Sequence, residues 1–146
     1  MKIDISSGDA ITPDAVEYDY HLLLEDRTIR LRAYTVETIM AEKLETILVR
    51  GVLNTRMRDF YDVVMIHLQY GNTIDYAVLS DALTHTCRQR NTEYILENAE
   101  NTLLTLRDDA TVQSLWDVYR SKYEYARNMR YAFVMDSVSQ IVHHLL

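Results

Sequence analysis

The first part of the chain alternates hydrophobic and polar residues in the manner of β-strands. Ile29, Leu31 and Ala33 alternate with arginines, and this period of two is typical of a half-buried strand. A similar stretch precedes it, separated by a polar tripeptide at 25–27, so the two arms predict an antiparallel hairpin. The pattern predicts strands at residues 2–6, 18–24 and 28–33.

From residue 35 onward, apolar residues recur every three to four positions, which is the spacing of amphipathic helices. Thr35 is a suitable N-cap and Gly51 a suitable terminator, so a helix is predicted over 36–50. Similar signals predict a second helix, capped by Asn54 or Thr55, that ends near residue 70. Asp75 is predicted to cap a third helix that ends near 90, and Thr92 a fourth that ends near 106. Two more helices, separated near Asn128, are predicted within 112–146.

These elements predict an α+β fold, in which a small N-terminal antiparallel sheet precedes a bundle of about five or six helices. The chain has 146 residues, which is close to the usual size of one domain. Its three glycines and one proline favour long elements with short connections. We therefore expect a single domain, 1–146, with the sheet portion at 1–34 and the helical portion at 35–146.

Composition narrows the cellular setting and the kinds of partner. Fifteen lysines and arginines against 22 acidic residues give a net charge of −7, which does not suit a protein that coats long DNA. No apolar run reaches the ~18–20 residues that span a bilayer, and Asp4 interrupts the stretch where a signal peptide would be apolar. Cys87 is the only cysteine, so no internal disulfide can form. We expect a cytoplasmic protein that does not bind membranes.

Positive charge is nevertheless concentrated in one part of the sequence. Lys43, Arg50, Arg56 and Arg58 stand against a single acidic residue, Glu45, over residues 43–58. A local cationic site on an acidic protein suits a phosphate-bearing small molecule or an RNA end. The alternative is a solvated helix face that ends in arginines.

The charged residues around this segment have spacings that bring them onto common helix faces. Lys43 and Arg50 are seven residues apart, and Asp59 and Asp62 are three apart. Lys43 lies at the edge of an apolar stripe, so its ammonium must either extend outward or meet an anion. The alternatives are structural: an ordinary i,i+4 pair between Arg58 and Asp62, and a carboxylate at a helix start for Asp59.

Aromatic and histidine residues near the C-terminus give weaker signals. The histidines at 143–144 favour a surface position over metal ligation, and Trp116 is predicted to be a core anchor. Four tyrosines could stack nucleobases, although their helical spacing favours packing. They are Tyr119, Tyr123, Tyr125 and Tyr131.

Residues 34–44 and 56–62, with Arg50 between them, resemble the signature of the AbiEii/AbiGii abortive-infection nucleotidyltransferase toxins, whose pattern is roughly AEKL…R…tR.KDfyDl. The resemblance extends to the short strand that bears Asp4, to the hairpin and to residues 115–126, so it covers essentially the whole chain. It implies a nucleotidyltransferase domain of the DNA-polymerase-β type, of which the small sheet would be a remnant, followed by a helical part. It also implies Mg²⁺-dependent transfer from a nucleoside triphosphate, a toxin role with a cognate antitoxin, and an RNA acceptor such as tRNA in some members.

The resemblance also implies roles for individual residues. It assigns metal binding to Asp4, nucleotide binding to Lys43, Arg50, Arg56 and Arg58, and catalysis to Asp59 and Asp62. Within that catalytic pair, Asp59 would assist the attacking or leaving group and Asp62 would organise the site.

One departure from the family pattern limits the activity that we expect. The family's first motif, a glycine–serine turn followed by two aspartates one residue apart, would precede the strand of Asp4, and this sequence does not contain it. Because two metals held by one carboxylate bind poorly, we expect a truncated or split enzyme that needs another chain to supply the motif. We also expect an open sheet edge beside residues 2–6, through which homo-oligomers could form. The alternatives are a non-catalytic helical remnant that binds a protein or RNA partner, and a helical adaptor whose resemblance is coincidental.

Overall fold

The computed structural model describes residues 11–146 and confirms the predicted α+β architecture over that range. The predicted strand at 2–6, the sheet edge beside it and Asp4 lie outside the described residues. The elements are β1 (Val16–His21), β2 (Thr28–Ala33), α1 (Val36–Arg50), α2 (Met57–Tyr70), α3 (Tyr76–Arg90), α4 (Tyr94–Asp108), α5 (Ala110–Lys122) and α6 (Tyr131–Leu145). Single 3₁₀ turns, Gly51–Leu53 and Glu124–Ala126, precede α2 and α6.

The hairpin forms as predicted, but its first strand lies earlier in the chain. β1 and β2 are antiparallel, with Val16 opposite Ala33 and His21 opposite Thr28. The prediction of a strand over 18–24 was wrong at both ends. β1 begins at Val16, because Val16 and Glu17 pair with Ala33 and Arg32, and it ends at His21, where the Leu22 N–H donates to the Arg27 carbonyl at 3.0 Å and closes the turn. The expectation of a half-buried hairpin is confirmed only for Ile29 and Ala33 of β2, since Leu31 and every residue of β1 are exposed.

Helix α1 confirms both predicted caps. The Thr35 hydroxyl accepts a hydrogen bond from the Thr38 N–H at 3.3 Å, which satisfies one free donor of the first turn. Gly51 ends the helix with φ 47° and ψ −133°, a conformation that favours glycine, and its N–H donates to the Ile47 carbonyl. The helix therefore ends at Arg50, as predicted.

The starts of α2, α4 and α5 differ from the prediction, while Asp75 caps α3 as expected. Helix α5 begins at Ala110, before the predicted range, because the Asp109 side chain caps it by accepting from the Val112 N–H at 2.8 Å. Helix α2 begins at Met57, because the Asn54 side chain accepts from the Arg56 N–H at 2.8 Å and so stabilises the turn before the helix. Helix α4 begins at Tyr94 because the Thr92 hydroxyl bonds elsewhere, to Glu45 Oε1 at 3.0 Å. For α2 and α4, the side chain predicted to cap the helix therefore forms its hydrogen bond with another group.

The core lies among the helices, with α1 packed against α2, α3 and α4, and α6 packed against α2 to α5. Trp116 is fully buried, which confirms its prediction as an anchor, and its Nε1 donates to the Met129 carbonyl at 3.0 Å. The buried Glu45 carboxylate accepts from Arg90 Nη1 at 2.7 Å, so an ion pair joins α1 to α3. Over residues 11–146, no helix has the length and apolar character required to cross a bilayer.

Candidate functional site

A cavity of about 580 Å³ opens where α1, the start of α2 and the end of α5 meet. Its polar lining brings together five of the predicted site residues: Lys43, Arg56, Arg58, Asp59 and Asp62. The cationic groups thus converge with both predicted catalytic carboxylates, although they come from two helices. This convergence is the main reason to regard the cavity as a functional site.

Lys43 links the two helices from the middle of α1. Its Nζ lies 2.7 Å from Asp62 Oδ2 and 3.4 Å from Asp59 Oδ1, and the lysine side chain is 22% exposed. Of the two predicted possibilities, Lys43 therefore meets anions instead of extending into solvent. The anions it meets belong to the same chain.

Asp59 is held in the first turn of α2, where the positive end of the helix dipole favours a carboxylate. Its side chain is 7% exposed, and its Oδ2 lies 3.1 Å from Arg56 Nε. The direction of that ion pair is poor for a hydrogen bond, so this buried oxygen accepts none from the described residues. Within the described residues, the ion pair with Arg56 is therefore the contact that compensates the charge on this oxygen.

The remaining cations differ in how they reach the cavity. Arg58 Nε lies 3.7 Å from Asp62 Oδ2 in an i,i+4 pair, and the Arg58 side chain is 78% exposed. The ordinary i,i+4 ion pair, which was the structural alternative for Arg58 and Asp62, is therefore present, and Arg58 also lines the cavity. Arg50 is exposed in the last turn of α1 and is not part of the cavity lining.

Two tyrosines, for which helical spacing predicts a packing role, complete the cavity wall. Tyr119 lies in the last turn of α5, Tyr123 follows that helix directly, and both line the cavity. The Tyr119 hydroxyl lies 3.1 Å from that of Tyr125, and burial followed by this hydrogen bond raises the pKa of Tyr119. The four-residue spacing of Tyr119 and Tyr123 indicated a shared face, but only the tertiary structure brings that face to the cavity. Tyr131 does pack as predicted, since it is buried and donates to the Leu106 carbonyl at 2.6 Å.

The described part of the chain does not itself form a metal site. Across residues 11–146, no three His, Cys, Asp or Glu side chains are grouped in a way that could hold a metal ion. The two carboxylates of the cavity, Asp59 and Asp62, already pair with three cations. A divalent metal would therefore compete with the Lys43 ammonium for the same oxygens, so this donor set does not fit one.

Comparison with protein families gives one match over nearly the whole chain. The family described as "Nucleotidyl transferase AbiEii toxin, Type IV TA system" matches residues 1–141 of the 146. The chain belongs to the AbiEii family. The match confirms the resemblance based on residues 34–44 and 56–62, and it associates this AbiEii chain with toxin–antitoxin systems and abortive infection. No curated protein and no solved structure matches the chain.

Membership of the AbiEii family has consequences for ligands and partners. Nucleotidyltransferases of this kind generally use a nucleoside triphosphate and a divalent metal, and a type IV toxin has an antitoxin partner. The cavity around Lys43 is lined by three cationic side chains, those of Lys43, Arg56 and Arg58. The predicted metal ligand, Asp4, lies outside the described residues, so its role stays a prediction.

Proposed function

We propose that the cavity around Lys43 binds the phosphate groups of a nucleotide, in nucleotidyl transfer from a nucleoside triphosphate to an RNA or protein acceptor. The observation that supports this most is the convergence of three cations on one cavity in a chain of net charge −7. Arg56 and Arg58 have side chains 58% and 78% exposed, so they can turn toward an incoming phosphate. Arginine suits this role because its planar fork matches phosphate oxygens.

The carboxylates have different roles in this proposal. Asp62 holds the Lys43 ammonium at 2.7 Å and so fixes its direction at the wall, which is the organising role predicted for it. Asp59 Oδ2 is buried and lies 3.1 Å from Arg56 Nε, so it becomes available to accept a proton from an attacking hydroxyl when Arg56 turns toward the phosphate. Lys43 then remains as a fixed positive charge near the phosphates.

The divalent metal in this proposal binds elsewhere. Because Asp59 and Asp62 are paired with cations, we assign Mg²⁺ to Asp4 together with the glycine–serine and paired-aspartate motif, supplied by another polypeptide segment. Transfer is then conditional on that segment. The proposal sets this activity in the cytoplasm, with the antitoxin as a protein partner.

Binding of a nucleoside triphosphate to Arg58→Gln tests the phosphate site. Arg88→Gln is the matched control, since Arg88 is also exposed and also pairs with a nearby acid, Glu93, at 3.3 Å. We expect Arg58→Gln to weaken ATP binding in calorimetry about 10-fold or more, because a charge-assisted contact is lost. Arg88→Gln should bind like the wild type. Equal affinity of both variants would contradict the proposed site.

A second candidate function is supported by the same ion pairs. Lys43 already bridges two carboxylates, so the cluster also works as a clamp that joins α1 to α2 in a non-catalytic module that binds a protein or RNA. This alternative predicts that Arg58→Gln leaves nucleotide binding unchanged. The Arg58→Gln measurement therefore separates the two functions.

A further inference from the structure

The cavity around Lys43 has an aromatic part as well as a cationic part. Tyr119 lies in the last turn of α5, and Tyr123 follows directly after that helix. Both are half-buried, so each keeps ring surface at the cavity. Neither ring has a function in the ion pairs described above.

The aromatic part is held in place by neighbouring rings. The ring centres of Tyr119 and Tyr123 are 4.9 Å apart, and Tyr119 lies 5.4 Å from the buried Trp116. Tyr125 stacks on Tyr123 at 5.4 Å and contacts Tyr61 of α2 at 4.8 Å. Contacts of this kind fix ring orientation, so a ligand that stacks here loses little free energy to ordering of the wall.

The Tyr123 ring also contacts a cation, which belongs to the neighbouring residue. The Lys122 ammonium lies 5.4 Å from the centre of the Tyr123 ring, although Lys122 itself is exposed. A flexible, solvated side chain in this position is displaced more easily than a packed apolar one. The ring is therefore suited to take a planar ligand in its place.

We propose that Tyr123, supported by Tyr119, stacks the nucleobase of the nucleotide whose phosphate meets Arg56 and Arg58. The inference rests on the proposed function and adds the ligand class: a complete nucleotide unit, with base and phosphate in one cavity. A volume of about 580 Å³ is within the range of small-molecule sites. Stacking uses the π-face that every base has, so the subsite accepts all four bases.

The test compares a ligand with a base to one without. We measure calorimetric affinities for ATP and for inorganic triphosphate with the wild type, Tyr123→Leu and Tyr123→Phe. Tyr94→Leu is the matched control, because Tyr94 is an exposed tyrosine on α4 and is not part of the cavity lining. We expect Tyr123→Leu to weaken ATP binding about 10-fold while triphosphate binding stays unchanged. Tyr123→Phe keeps the ring and should bind ATP like the wild type.

The outcomes separate this inference from the proposed function. If Arg58→Gln weakens both ligands but Tyr123→Leu weakens neither, the phosphate site stands and the base subsite is wrong. If Tyr123→Leu weakens both ligands equally, the ring acts on folding or charge, and the inference is again wrong. If neither ligand binds, both proposals are wrong. Thermal unfolding of each variant identifies any general loss of structure, and Tyr123→Trp, which keeps a stacking surface, should retain ATP binding.

A second set of ligands identifies the source of the nucleotide. Short single-stranded oligoribonucleotides with a normal or an abasic 3′ end carry the same base and phosphate chemistry as ATP. If Tyr123→Leu also removes tighter binding of the normal 3′ end over the abasic one, the subsite takes the 3′ nucleotide of the acceptor. If it affects ATP alone, the subsite takes the nucleoside triphosphate. Loss of neither preference contradicts the inference.

Discussion

Replacing Lys43 with methionine measures how strongly the charged cluster joins α1 to α2. Exposed ion pairs contribute ~0.2–1 kcal/mol, whereas breaking a buried pair costs ~3–5 kcal/mol. The side chains here are 22%, 7% and 24% exposed for Lys43, Asp59 and Asp62, which is between the exposed and the buried case. We therefore expect Lys43→Met to lower the free energy of unfolding by about 2 kcal/mol.

The assay is urea unfolding of Lys43→Met followed by the intensity of Trp116, the single tryptophan. Lys122→Met removes an exposed lysine and serves as the control, with an expected change below ~0.5 kcal/mol. The double variant Lys43→Met/Asp62→Asn should recover part of the loss, because the uncompensated carboxylate is removed as well. A Lys43→Met change no larger than that of the control would refute the reasoning.

Three further predictions concern the scaffold. Gly51→Ala should lower the free energy of unfolding in urea by about 1–3 kcal/mol, because φ is 47° there and alanine is strained in that conformation. The added Cβ would meet Thr102 Cγ2 at 3.8 Å, an ordinary contact, so the cost comes from the backbone, and an unchanged midpoint would contradict this. Burial raises the pKa of Tyr131 to about 12, so the folded state favours the neutral phenol. The stability that the neutral phenol contributes is complete below pH 10 and is lost as pH rises through 12. Tyr131→Phe should lose less stability than the wild type over that interval in denaturant titrations, and parallel curves would contradict this. Burial also raises the pKa of the Cys87 thiol, so a disulfide reagent should label it rapidly in urea and slowly in buffer; equal rates would contradict its burial.

The sequence predicts elements well where local chemistry decides their ends. Thr35 and Gly51 carry their own capping signals, and α1 has the predicted bounds. Asn54 is a strong capping residue as well, but its side chain bonds to the Arg56 N–H, and Thr55 and Arg56 separate it from α2. The choice between these partners depends on backbone geometry that residue types do not reveal.

The candidate site is predicted in part, for a similar reason. Helical spacing brings Asp59 and Asp62 onto one face, and the structure brings Lys43 to both. Arg50 shares a face with Lys43 but lies two turns further along, outside the cavity lining. The contribution of Tyr119 depends on how α5 packs against α2, and this tertiary arrangement has no local signal in the sequence.

Nucleotidyl transfer is the most direct test of the central claim. The purified chain is incubated with Mg²⁺, each labelled nucleoside triphosphate and total RNA, alone and with a polypeptide that carries the glycine–serine and paired-aspartate motif. We predict label transfer only when that polypeptide is present, and a large loss of transfer in Arg58→Gln but not in Arg88→Gln. No transfer in either arm, or transfer that is equal in the two variants, would contradict the claim.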